Sequence, residues 1–101
     1  MTYQYGTALG KEFIGKGASL ILGPSVNLHR IPQGGRNFEY ISGEDPVLGY
    51  ELAGPITKGI QDQKVIACAK HWADNAQEMN RFYLSENVPD RTNYEMYYQP
   101  F

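Results

Sequence analysis

Apolar residues along the chain come in short runs and one long stripe, and the polar residues between them fill two extended stretches with no period. Ala8, Leu9, Phe13 and Ile14 recur at spacings of four and five, which predicts a short helix capped by Thr7 and ended by Gly15 and Gly17. Ser19-Leu20-Ile21-Leu22-Gly23-Pro24 is a continuous apolar run stopped by Gly-Pro, the pattern of a buried strand. Residues 25–44 show neither period and are expected to form a long loop. At Asp45-Pro46 a helix should begin, because the Asp side chain accepts from free first-turn amides and Pro loses no hydrogen bond there. Leu48, Leu52, Ile56 and Ile60 follow at spacings of four, one apolar stripe on a helix over 46–60. Pro55 removes a helix hydrogen bond and crowds the Glu51 carbonyl, so a kink or break is expected near Gly54-Pro55. Residues 64–71 read as a second buried strand, apolar on both faces as helix-covered parallel strands are. A second polar loop covers 72–89, and Asp90 is expected to cap a last helix through Tyr94, Glu95 and Tyr97.

The order helix, strand, long loop, helix, strand, long loop, helix is that of α/β units joined by right-handed crossovers to parallel strands. Both long loops leave from carboxyl ends of strands, where α/β sheets and barrels bind their ligands. One competing motif falls away on the same reading. Gly10-Lys11-Glu12-Phe13-Ile14-Gly15-Lys16 fits most of a phosphate-binding loop, but Gly17 replaces the hydroxyl residue and the helix precedes the strand instead of following it.

Composition narrows the classes. The 101 residues are 42% hydrophobic and 20% charged, which is globular and not disordered. Nine Lys and Arg against eleven Asp and Glu, with the basic residues scattered, argue against a nucleic-acid partner. No run of about 18 apolar residues is available to span a bilayer, so no membrane partner is expected, and the N-terminus lacks the charged and apolar regions of an export signal. The single cysteine, Cys68, lies in an apolar run and is expected to be a small buried residue.

The polar residues placed at the strand ends are Arg36, Lys70 and His71. Arg36 and Lys70 donate hydrogen bonds and positive charge to a neutral polyol or an anion, and His71 donates or accepts through either ring nitrogen. Equally, Arg36 beside Glu39, Glu44 and Asp45 has the makings of an ion network that pins a loop, and a lone His71 suits a structural role. Trp72, Phe38, Tyr40 and Phe82 flank these residues, either to stack on sugar rings or to pack the core. No metal and no cofactor is expected, since His29 and His71 lie on different loops and neither belongs to a spaced ligand cluster. Glu44 and Asp45 are adjacent, so their side chains diverge and make a poor catalytic pair.

Gly23-Pro24, Asn27, Arg30, Pro32, Gly35-Arg36-Asn37-Phe38-Glu39, Glu44-Asp45-Pro46, Gly49, Ala69-Lys70-His71, Asn75, Gln77-Glu78, Arg81 and Asp90-Arg91-Thr92 together resemble the N-terminal barrel of glycoside hydrolase family 3, the β-glucosidase family. The resemblance covers nearly the whole chain from about Leu20. It implies an α/β fold that is an incomplete portion of a (β/α)8 TIM-type barrel, with about two parallel strands and flanking helices spread over residues 1–101. It implies further that Arg36, Lys70 and His71 hydrogen-bond hydroxyls of a glucosyl unit, with Arg30, Glu39, Glu44, Asp45, Glu78 and Arg81 supporting the loops. The subgroup that removes N-acetylglucosamine resembles Lys-His-Phe-Pro-Gly-His-Gly after this strand, whereas Lys70-His71-Trp72-Ala73-Asp74-Asn75-Ala76 is similar to the glucosidase pattern. Relatives are commonly secreted or periplasmic.

The resemblance also implies a nucleophilic aspartate on a later strand, an acid/base glutamate from a following domain and a sugar-binding aspartate before Leu20, and none of these motifs is in this sequence. A retaining mechanism needs the first two. A complete barrel takes roughly 250 residues, so the expectation is a fragment of a β-glucosidase, inactive alone, whose partners are a β-glucoside or oligosaccharide, the remainder of the barrel, or a second copy through exposed edges. The alternatives are a non-catalytic sugar-binding or interaction module, or an inactive truncated product.

Overall fold

In the computed structural model, which describes residues 1–101, helix α1 (Thr2–Gly15) begins five residues before the expected Thr7 cap. Thr7 instead lies inside the helix, its hydroxyl donating back to Tyr3 O at 3.0 Å. The early start follows from packing: Gly6 is buried against the backbone of Ile56, on helix α2 (Pro46–Gln61). At the same crossing, a Cβ on Gly59 would meet Tyr3 O, Thr7 N and the Gly6 carbonyl carbon. Glycine on both sides lets the two backbones touch, and that contact overrides the weak local propensity of the first turn.

The start of α2 is as expected. Asp45 occupies the cap in extended conformation, its carboxylate accepting from Val47 N at 2.9 Å, and Pro46 follows at the first helical position. Of the expected kink or break at Gly54-Pro55, the break does not occur, since α2 runs unbroken through Pro55. Pro55 and Glu51 both lie on the exposed side, so the carbonyl freed by the missing N–H faces solvent. The apolar stripe is only half in the core: Ile56 and Ile60 are buried, while Leu48 is 44% exposed. A spacing of four turns about 40° further round the helix at each step, and by Leu48 the stripe has left the core. Gly49 and Ala53 take over the buried line there.

Strands β1 (Leu20–Ile21) and β2 (Ile66–Ala67) pair in parallel, Leu20 with Ile66 and Ile21 with Ala67. The ladder extends to a bridge between Ser25 and Lys70, and bonds from Lys70 N to Pro24 O (3.0 Å) and Val26 N to Lys70 O (2.8 Å) close it. Between these pairings the first strand carries one residue more than the second, a bulge around Gly23-Pro24. Ile56, Ile60 and Val65 form the core, with Leu9, Phe13, Ile21, Ile41, Leu52 and Ala67 packed on it. Only that face of the sheet is covered by α1 and α2. Leu20, Leu22, Ile66 and Cys68 point the other way and are exposed, so the expectations of a strand buried on both faces and of a buried Cys68 are corrected.

The loop at 25–44 contains two short 3-10 turns, Pro32–Gly34 and Asn37–Glu39, linked through Gly35 at φ 82°. The last helix, α3 (Asp90–Thr92), continues as a π-helical segment, Asn93–Tyr97. Asp90 is its first residue and not its cap: Pro89, still extended at ψ 140°, holds the cap position, and no side chain caps the end. No helix is long and apolar enough to cross a membrane.

Candidate functional site

The carboxyl ends of β1 and β2 deliver the two loops to one place. Beyond the Ser25–Lys70 bridge the ladder is continued by the side chain of Asn27, which is 1% exposed. Its amide donates to His71 O at 2.9 Å and to Ala73 O, and its carbonyl accepts from His71 N. One asparagine thus fixes both backbone groups of His71. The first loop is anchored to the same strand by Ile41 N donating to Ser25 O and by the buried Ser42 hydroxyl donating to Val26 O at 2.6 Å.

Arg36, Lys70 and His71 converge on this frame. Glu39 joins the two cations, accepting from Arg36 Nε at 2.8 Å and from Lys70 Nζ at 2.6 Å. Arg36 Nη2 lies 2.7 Å from His71 Nε2, and Tyr40 Oη 3.0 Å from His71 Nδ1. Glu78 stands 3.7 Å from Arg36 Nε and 3.7 Å from Arg81 Nε, and its amide donates to Gly34 O, laying the second loop across the first. Arg30 reaches the Tyr97 hydroxyl at 3.2 Å, tying the first loop to the C-terminal segment. Asp45 is the α2 cap described above, and Glu44 is exposed and pairs with no cation.

Burial alone would raise the Glu39 pKa, but the hydrogen bonds from Lys70 and Arg36 outweigh it and hold the carboxyl below its ordinary range. His71 is lowered by burial first and then by the nearby Arg36 and Lys70 charges, which favours a neutral ring. The cluster therefore offers fixed cations, an ionised carboxylate and a neutral imidazole. A hydroxyl group, which donates and accepts at once, suits this mixture better than a simple anion does. Arg36 Nη1 is buried without a protein partner.

Of the aromatics flagged from sequence, only Tyr40 is buried. Phe38 and Phe82 are 92% and 83% exposed, which removes core packing as their role. Phe82 lies under the Arg81 guanidinium at 5.1 Å, and Trp72 stacks on Tyr98 with ring centres 4.9 Å apart. A neighbouring cleft of about 290 Å³ is lined by Leu28, His29, Arg30, Asp74, Gln77 and Tyr97, among others, and not by Arg36, Lys70 or His71. Sequence reasoning gave Asn27 no role at the site and treated Tyr40 only as an apolar ring. Two signals for Asn27 lie in the sequence: its place in the family pattern and its position three residues beyond the apolar run that ends at Pro24.

The model of the glycosyl hydrolase family 3 N terminal domain matches residues 1–94. Beta-glucosidase BoGH3A of Bacteroides ovatus is 45% identical over 98 residues, covering 97% of this chain and 13% of its own length. Thermostable beta-glucosidase B of Acetivibrio thermocellus is 48% identical, over 95% of this chain and 13% of its own. Among solved structures, beta-glucosidase 3B from Thermotoga neapolitana in complex with glucose superposes with a TM-score of 0.91 at 43% identity, over 98% of this chain and 14% of that one. The chain thus spans about one-eighth of the length of the curated relatives it matches. Its two parallel strands and flanking helices are the expected portion of a (β/α)8 barrel. From sequence and fold together, the chain belongs to glycosyl hydrolase family 3, within that family's N-terminal domain.

Proposed function

We propose that this chain supplies sugar-hydroxyl contacts to a retaining β-glucosidase that releases terminal β-linked glucose from β-glucosides or β-glucans. The observation that carries the reading is the convergence of Arg36, Lys70 and His71 around Glu39 at the carboxyl ends of the two strands. A solved relative described as a complex with glucose supports the same substrate class. Arg36 and Lys70 donate to ring hydroxyls, and His71 completes the contact. The chemistry itself needs a carboxylate nucleophile and a protonated carboxyl to serve the leaving oxygen. Glu39 suits neither role, being ionised and committed to two cations.

Glucose titration followed through Trp72, the only tryptophan and the neighbour of His71, tests the binding claim. A saturable change that Arg36→Ala abolishes is expected, and a flat response in the wild-type chain would overturn it. With a chromogenic β-glucoside, the purified chain should show no turnover. Turnover that Lys70→Ala removes would show that it carries its own catalytic carboxylates.

A further inference from the structure

Ile66, Cys68 and Lys70 each turn their N–H toward β1 and its continuation, donating to Ser19 O, Ile21 O and Pro24 O at 2.8, 3.0 and 3.0 Å. The alternation of a strand then sends the backbone groups of His71 the other way, and its side chain to the face opposite Lys70. Neither happens. His71 N and His71 O both meet the side chain of Asn27, on the continuation of β1. The two consecutive side chains also reach one cluster: Lys70 Nζ lies 2.6 Å from Glu39 and His71 Nε2 lies 2.7 Å from Arg36, with Arg36 Nε 2.8 Å from Glu39. The chain has turned over between Lys70 and His71, and the turn has taken His71 out of the ladder.

We propose that Asn27 is a positioning residue: by pairing the turned backbone of His71, it sets Lys70 and His71 side by side so that two consecutive residues contact one sugar unit. A residue turned out of the ladder leaves an N–H and a C=O without strand partners, which is costly away from water. A carboxamide is the one neutral side-chain group that offers two N–H donors and an acceptor at a single planar end. Asn27 uses all three, because its amide also donates to Ala73 O. It is itself held firmly: it is 1% exposed, its neighbours Val26 and Leu28 are buried, and Val26 N donates to Lys70 O. Aspartate in its place accepts only, and would set a carboxylate against two carbonyl oxygens.

That the pair serves a sugar rests on the contact reading above; that Asn27 places His71 beside Lys70 does not, and it is tested without sugar. The His71 and Tyr40 rings meet edge-on with centres 6.0 Å apart. Tyr40 is anchored by Ile41 N donating to Ser25 O, independently of Asn27. Nuclear Overhauser spectra of the wild-type chain should show a cross-peak between the two rings. Asn27→Ala should lose it while the Ile60 amide, in the core, stays protected from exchange. If that variant fails to fold, Asn27→Asp, of the same shape and with an acceptor kept for His71 N, should weaken the cross-peak in a folded chain. A wild-type chain without the cross-peak, or either folded variant with it at full strength, overturns the proposal. Glucose titration reads the consequence. In folded Asn27→Ala the dissociation constant should rise at least about tenfold, the equivalent of one hydrogen bond. Gly59→Ala, which disturbs only the crossing of α1 and α2, should leave it within about twofold. Equal losses in the two variants would assign Asn27 to the fold alone and overturn the proposal. A wild-type chain that shows the cross-peak but binds no glucose would refute the sugar-contact reading and leave the placement of His71 standing.

Discussion

Replacing Glu39 by Gln isolates the electrostatic tie at the centre of the site, because the amide keeps the shape and removes the charge. Glu39 accepts from Lys70 at 2.6 Å and from Arg36 at 2.8 Å, with side-chain exposures of 21% for Glu39, 10% for Arg36 and 21% for Lys70. A hydrogen bond to a charged group contributes about 1.5–3 kcal/mol when buried, and an exposed ion pair about 0.2–1 kcal/mol. This pair of contacts lies between those limits, and Gln retains one acceptor, so the loss should be about 1–3 kcal/mol. The pH dependence has a definite sign. The folded-state pKa of Glu39 lies below its ordinary 4.5, so its contribution is complete above that value. It is lost as the pH falls through the lowered folded value. Urea unfolding of wild type and Glu39→Gln at a series of pH values measures this from the midpoints, provided the slopes agree. The gap should be full at pH 7 and should close on acidification. A gap under about 0.5 kcal/mol at pH 7, or one that widens in acid, would refute the ionised bridge.

Two further predictions concern the frame around the site. Gly59→Ala forces a methyl into the backbone of α1 at Tyr3 O and should lower stability by about 1–3 kcal/mol, whereas Gly15→Ala, helical, exposed and with open space around it, should raise stability by about 0.5–1 kcal/mol; the two urea midpoints should move in opposite directions. Asn27→Ala leaves the His71 N–H without its acceptor, at about 1–3 kcal/mol for the buried group. Its clearest readout is amide hydrogen exchange, in which His71 should lose protection while residues of α2 such as Ile60 keep theirs.

What was legible in the sequence was the local order. Asp45-Pro46 announced the start of α2 because a cap and a first-turn proline act within three residues. The two apolar runs announced their strands for the same reason, and the stretches after them their loops. The misreadings share a different cause, since each depended on what arrived from far along the chain. The start of α1 is set by Ile56 and Gly59, more than forty residues away, and the exposure of Cys68 by which face α1 and α2 occupy. At the site, Arg36, Lys70 and His71 were recognisable as a set from their resemblance to a family pattern. Tyr40 was not, because its hydroxyl acquires a role only when residues 31 and 35 positions later fold over it.

The uncovered face of the sheet has a practical side. Cys68 is the only cysteine in the chain, and it lies exposed beside Ile66 on that face, away from the packed helices. It is therefore a built-in labelling position whose alkylation rate reports directly on access to this one surface. Any segment or second chain that lay down over Leu20, Leu22 and Ile66 would slow the reaction without any substitution being made. The sheet carries its own gauge of how completely it is enclosed.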